Sequence, residues 1–356
     1  MKKLFRRILL TAVLIAGLLI VLLGGFLGYA SIKYYHPPVR LPLTVGPAKF
    51  KLLLPDSLIT LATWNIGYCG LGKEMDFFYE GGSMVRPGED QYTRYREGVI
   101  RQLREFGQPD FILLQEVDQD SKRSYHDDQV VRISSVFPDY AAAFAINYKS
   151  VFVPVPPTEP MGKVLAGQLT LSRCKPAEAS RYAFSSSYSW PKNLFMLERC
   201  FILTRYKVSN GKELVILNTH NSAFDDAAEM RKQELALFKS TMEAEFAKGN
   251  YVVAGGDWNL NPVPYDSTAI SDGNAARGIH PGIPSSFLPA GWHWAYDSEK
   301  ATNRDVNAAY QKGKTLTTII DFFVLSPNIE LKEVKTLFTG FEYSDHQPVR
   351  MSIRLK

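Results

Sequence analysis

The chain predicts an α/β sandwich, two packed sheets flanked by helices, preceded by a single N-terminal transmembrane helix. Three observations carry that expectation. A basic cluster is followed by one long uncharged apolar run. Nine short apolar runs after it read as strands, against only two stretches of helical periodicity. Those runs repeatedly end in amides, carboxylates or histidines. The 356 residues, 46% hydrophobic and 22% charged, exclude a disordered or collagen-like chain.

Residues 1–7 form a basic, cytoplasmic n-region containing Lys2, Lys3, Arg6 and Arg7, and the uncharged run extends from Ile8 to Ile32. A bilayer core needs about 20 apolar helical residues, whereas a cleaved signal has an apolar region of about 7–15. Length favours an uncleaved signal-anchor over residues 8–32, although Gly28-Tyr29-Ala30 offers the small residues of a cleavage site. The basic flank directs the rest of the chain out of the cytoplasm, as a single-pass membrane protein. Prolines 37, 38, 42, 47 and 55 make residues 33–56 a tether with little room for helix or central strand. Residues 1–40 hold six basic residues and no acid, more than the whole formal charge of +5, so the remainder carries −1. A body so balanced gives no electrostatic indication of nucleic-acid binding.

In the body, residues 57–356, strands are expected at Ile59–Ile66, Asp110–Val117, Lys163–Arg173, Cys200–Lys207, Glu213–His220 and Tyr251–Asp257. Three more follow at Thr317–Leu325, Leu331–Thr339 and Pro348–Leu355. Helical spacing covers Tyr92–Phe106 and Asp226–Lys248. In the second, Ala227, Met230, Leu235, Leu237, Phe238, Met242 and Phe246 share a face, and Asp225, Asp226 and Glu229 crowd the first turn. Val153–Pro160 reads as a loop and Pro262–Lys314 as a long irregular insertion, of the kind that is usually functional or disordered.

The residues that end the runs are Asn65, Glu116, His220, Asp257 with Asn259, Asp321, and Asp345-His346. Each alone could be a turn or a cap. Together they supply oxygen ligands for a hard cation such as Mg²⁺, and groups that move protons. Asp321 stands between Ile319-Ile320 and Phe322-Phe323, where a carboxylate must be paired, and His346 can meet that need. His36, His126, His280 and His293 fall in no motif and are assigned to the surface or to loops.

At these positions the chain resembles the endonuclease/exonuclease/phosphatase superfamily, the deoxyribonuclease I-like phosphoesterases. The carriers are TWNIG at 63–67, LLQEVD at 113–118, GQLTLSR at 167–173, LNTH at 217–220, GGDWN at 255–259, IIDFFVLS at 319–326 and YSDHQPV at 343–349, in the family's order. The resemblance implies that Glu116, Asn65 and Asp345 hold Mg²⁺, with Mn²⁺ as an alternative ion. It further implies that Asp257 prepares the attacking water, Asn259 and His220 lie at the phosphate, and His346 is oriented by Asp321. Arg199 matches, loosely, a substrate-contacting arginine. Trp258 replaces the family's usual Phe without altering a ligand.

Specificity is expected in the loops Gly70–Gln91, Val153–Pro160 and Pro262–Lys314. In the last, Trp292 and Trp294 either form an aromatic platform for substrate or pack the insertion onto the body. The expected activity is that of a membrane-anchored, extracytoplasmic, monomeric phosphoester hydrolase, its substrate left open between nucleic acid, phospholipid headgroup and phosphorylated metabolite. The alternative is a catalytically silent binding module of the same fold, which should have lost part of this residue set; none is lost. Cys174 and Cys200 remain two buried thiols, or form a disulfide if their strands are the antiparallel neighbours that the family's strand order implies. Cys69 is expected to stay reduced.

Overall fold

The structure is a computed structural model. It describes residues 2–184, 188–223, 229–270, 274–275 and 280–356. Helix α1, Lys2–Ile32, is long and apolar enough to cross a membrane. Beyond it lie β1 (Arg40–Pro42), β2 (Ile59–Asn65), α2 (Glu89–Glu105), β3 (Phe111–Asp118), α3 (Gln129–Val136), β4 (Ala141–Val153) and β5 (Gly162–Ser172). They are followed by β6 (Glu178–Ala183), β7 (Cys200–Lys207), β8 (Glu213–His220), α4 (Glu229–Ala247) and β9 (Tyr251–Asp257). The remaining strands are β10 (Asn274–Ala275), β11 (His293–Ala295), β12 (Asn303–Arg304), β13 (Leu316–Thr318), β14 (Asp321–Leu325), β15 (Ile329–Thr336) and β16 (Val349–Leu355).

Two mixed sheets form the expected sandwich. One runs β15-β16-β2-β3-β5-β4, the other β1-β6-β7-β8-β9-β14-β11. Alternation along the strands assigns the layers. Leu61, Phe111, Leu113, Ile216, Val253, Phe323 and Met351 meet between the sheets. Their neighbours Ala62, Trp64, Ile112 and Leu114 face outward beneath Val99, Leu103 and Phe106 of α2 and Ile133 of α3. Val215, Leu217, Val252 and Ala254 do the same beneath Leu235, Phe238 and Met242 of α4. Strands with both faces covered read as continuous apolar runs, which is why these were readable.

Several elements differ from expectation. The run Thr317–Leu325 is two strands: β13 pairs with β12, and β14 pairs with β9 in the large sheet. Thr302 Oγ1 accepts the backbone N–H of both Ile320 and Asp321 and breaks the run between them. Strand β4, the start of which reads AAAFA, lay hidden because alanine is a poor strand former. The 33–56 segment lies along the body: β1 pairs with β6, Gly46 N–H donates to Ala142 O, and Leu53 bridges to Val208. Ala227, Asp225 and Asp226 lie outside the described residues. Cys174 follows β5, paired with β3 and β4 in one sheet, while Cys200 opens β7, paired with β6 and β8 in the other. The premise of the disulfide fails, and all three cysteines are free and buried.

Candidate active site

The polar run ends converge at one end of the seam between the sheets. A polar contact below the site sets the alignment: Gln115 Nε2 donates to Asn218 Oδ1 at 2.7 Å across the seam. The same Asn218 donates to Leu114 O and Thr170 Oγ1. Above it, Asn65 Nδ2 donates to Asp257 Oδ2 at 2.9 Å and to Glu116 Oε1 at 3.1 Å, while Gly67 N–H donates to Asn65 Oδ1. Gly67 has φ +50°, and a Cβ there would lie 2.8 Å from Asp345 Oδ1, so the turn admits only glycine beside that carboxylate. Gly256 is confined similarly: its φ is +141° and a Cβ would fall 2.1 Å from Thr219 O. Two of the candidate residues, Glu116 (φ 53°) and Asn259 (φ 51°), hold left-handed backbone, an unfavourable conformation that collects at functional sites.

Asp257 is the hub. Its Oδ1 accepts Asn259 N–H at 2.9 Å, and its Oδ2 lies 3.4 Å from His220 Nε2 and 3.7 Å from His346 Nε2. The expected dyad is present, with His346 Nδ1 2.8 Å from Asp321 Oδ2. Burial opposes charge on His346, but the carboxylates of Asp321, Asp257 and Asp345 hold its pKa well above the ordinary histidine value. His220 is moved the other way by burial and then by the Arg199 charge, so its imidazole is neutral. Burial raises the carboxyls of Asp257, Asp321 and Asp345, the last further because Glu116 is close.

This accumulation of carboxylates fits a divalent cation. Glu116 and Asp345 offer carboxylate oxygens and Asn65 an amide, a hard donor set without thiolate. Asn65 Nδ2 donates to both Glu116 and Asp257, and its Oδ1, the atom that would face a cation, accepts from Gly67 N–H. Asp257, Asp321 and His346 also bring ligand-type atoms within 4.8 Å of one another. In that second set His346 Nδ1 is already committed to Asp321, so it is better described as a hydrogen-bonded relay.

The cleft above these residues has a volume of about 350 Å³. Arg199 lines it, and its Nη1 is buried with no hydrogen-bond partner among the described residues, as a group awaiting an anion would be. Trp292 and Trp294 do not line it. They pack with Phe246, Phe287 and Phe322 on the outer face of the second sheet, so the platform expectation is corrected to the packing alternative. The long insertion brings His280, Thr302 and Asn303 to the site, with Asn303 Nδ2 3.1 Å from His346 Nε2. Of the cleft residues that escaped sequence reasoning, three stand out. Arg123 is paired bidentately with Asp118 and packed over the Tyr68 ring; Tyr68 is the second. His280, assigned above to a loop without function, is the third. No spacing signal marks them, because tertiary contacts alone bring them here.

The fold and this cluster of carboxylates, amides and histidines define a two-sheet sandwich with a phosphoesterase-type cleft. The sequence model of the Endonuclease/Exonuclease/phosphatase family matches residues 62–346, and the chain belongs to that family. Members are generally hydrolytic phosphoesterases. Solved structures with the same fold include an endonuclease/exonuclease/phosphatase from Beutenbergia cavernae (17% identity, 84% of this chain and 72% of that one, TM-score 0.51). Another is D. rerio TDP2 complexed with a single-strand DNA product (14%, 84% and 100%, TM-score 0.52). A third is a family protein from Bacteroides vulgatus (15%, 85% and 100%, TM-score 0.52). Among curated proteins no sequence matches.

Proposed function

We propose that this protein is a membrane-anchored hydrolase of phosphoester bonds, dependent on Mg²⁺ or Mn²⁺, with its catalytic body outside the cytoplasm. The observation that carries the reading is the convergence of Asn65, His220 and His346 on Asp257, at 2.9, 3.4 and 3.7 Å. Glu116, Asn65 and Asp345 would hold the cation, which supplies charge neutralisation at the phosphoryl oxygens. Asp257, its Oδ1 fixed by the Asn259 N–H, accepts the proton of the attacking water. His346, kept protonated by Asp321, donates to a phosphoryl or leaving oxygen. Neutral His220 orients the same phosphate, and Arg199 binds its charge. The intact residue set argues against a silent binding module.

The full chain in detergent, assayed on bis(p-nitrophenyl) phosphate with Mg²⁺ and then with EDTA, tests the reaction class. Hydrolysis that EDTA abolishes supports it. No hydrolysis with either ion, on this ester or on DNA, RNA, sphingomyelin, phosphoinositides and sugar phosphates, removes it. The anchor is tested by carbonate extraction of membranes and the orientation by protease access to the body from the non-cytoplasmic side.

A further inference from the structure

The last turns of α1 touch the body. Phe26 stacks on Phe195 at 5.8 Å and meets Phe152 edge-on at 6.1 Å. Trp190 Nε1 donates to Ser31 Oγ at 3.2 Å, and the Tyr34 hydroxyl donates to Glu198. Phe26 precedes Ile32 by six residues, about 9 Å along a helix rising 1.5 Å per residue, so its ring contacts fall inside the apolar segment. Beside them Trp190 is 62% and Phe152 40% exposed. An amphipathic Trp ring at the end of a membrane helix belongs at the headgroup level.

The segment that makes these contacts is also a wall of the cleft. Tyr188 lines the cleft two residues before Trp190, and Met196, Leu197 and Arg199 line it just after Phe195. This wall is fixed from below: Phe195 O accepts from the Tyr148 hydroxyl at 2.8 Å, Leu194 O accepts from Ser150 Oγ at 3.0 Å, and Glu198 N–H donates to Asn147 O at 2.7 Å. Apolar side chains thus run from the membrane-level rings to Arg199 and the carboxylate–histidine cluster. A nucleic acid would instead need a track of cations. Among the described residues the cleft has Arg123 and Arg199, and Arg123 is committed to Asp118.

Resting on the phosphoesterase reading, we propose that the substrate is a lipid-borne phosphoester taken from the bilayer that holds α1. Its phosphate lies at Arg199 and His346, and its hydrocarbon chain lies along Tyr188, Met196 and Leu197. Trp190 and Phe152 set the depth of the body in the membrane.

Two measurements on the full chain in vesicles test this. In phosphatidylcholine/phosphatidylglycerol vesicles with brominated acyl chains, Trp190 fluorescence should be quenched, and Trp190→Phe should remove that component, since Trp64, Trp258 and Trp292 are buried in the body and Trp294 packs against Phe287 and Phe322. Unquenched Trp190 overturns the membrane placement. In vesicles carrying phosphatidylcholine, sphingomyelin, phosphatidylglycerol and phosphoinositides, at least one lipid should be cleaved at least 10-fold faster than its deacylated or chain-free headgroup ester. Trp190→Glu and, independently, Phe152→Glu should lower that rate at least 5-fold and leave bis(p-nitrophenyl) phosphate hydrolysis unchanged. Equal rates for lipid and free headgroup, cleavage of DNA or RNA in preference to every lipid, or parallel losses on both esters overturn the proposal. A chain that cleaves the soluble diester but no lipid overturns it while leaving the phosphoesterase reading intact; a chain that cleaves neither fails on the earlier reading.

Discussion

Asn65 and Asp257 stand on different sheets, and the 2.9 Å bond from Asn65 Nδ2 to Asp257 Oδ2 joins the strand ends that carry the site. Neither sheet alone holds a working set. Glu116, Asn65, Asp345 and His346 come from the six-stranded sheet or the turn leading into its strand β16, whereas His220, Asp257 and Asp321 come from the seven-stranded sheet.

Asn65→Ala should therefore lower kcat by about 10²-fold, the scale of losing one preorganised polar group. The melting temperature should move by only a few degrees, since a lost hydrogen bond costs about 1 kcal/mol. Thermal melting and kcat at saturating Mg²⁺ check this. A large fall in melting temperature with kcat retained would make Asn65 a turn residue.

Glu116→Ala should cost at least about 10²-fold in activity, because in the proposed mechanism its carboxylate, presented from a left-handed backbone, holds the cation. The Mg²⁺ concentration for half-maximal activity should rise. Wild-type activity at limiting Mg²⁺ would take Glu116 out of the metal shell.

His346→Ala and Asp321→Asn should not combine multiplicatively. In the proposed mechanism Asp321 acts through His346 Nδ1, at 2.8 Å, so once the imidazole is gone its loss should add little. Single and double variants assayed for kcat/KM decide the matter, and a double variant equal to the product of the single losses would separate the two roles.

Far from the cleft, Arg205 grips Glu245 bidentately at 2.6 and 2.7 Å. Burial works against the Glu245 carboxylate, but Arg205 prevails and brings its pKa down to about 2 from 4.5. A depressed folded-state value contributes stability above the unfolded value, and that contribution is lost as pH falls from about 4.5 towards 2. Glu245→Gln should cost about 1–2 kcal/mol at pH 7, since Arg205 keeps Glu178 and Glu213 and the pair is partly screened by solvent, and should flatten the acid limb of the stability curve in that window. Urea unfolding between pH 2 and pH 7 (assay conditions of roughly the range over which such carboxylates titrate) measures both effects.

Thiol titration of unfolded, unreduced protein should count three, matching Cys69, Cys174 and Cys200 all free in the fold. A count of one would mean that two of them are bridged.

Much of this was legible because β2, β3, β8 and β9 are covered on both faces and so read as apolar runs whose polar ends mark the cleft. Asp321 was legible for a different reason, the cost of an unpaired carboxylate among Ile319, Ile320, Phe322 and Phe323. Strand β4 was not, since three successive alanines carry no strand propensity, and its edge position depends on pairing with β5. Nor was the division of the insertion. Trp292 and Trp294 cover α4 and the second sheet, while Thr302 and Asn303 return to Asp321 and His346 through side-chain bonds that no periodicity encodes. Arg123 and His280 reach the cleft from segments without a motif, for the same reason.

The segment after α1 has a kinetic consequence. With β1 zipped to β6, Gly46 bonded to Ala142 and Leu53 bridged to Val208, the proline-rich stretch gives the body no slack. A catalytic body on a loose stalk searches a hemisphere of solution, whereas one seated on its own anchor searches a plane. With α1 in the bilayer and a lipid-borne substrate, both as proposed above, encounter would be governed by lateral diffusion and by the number of substrate molecules per unit area. Turnover per enzyme should follow the mole fraction of substrate in the vesicle and stay constant when the vesicle suspension is diluted.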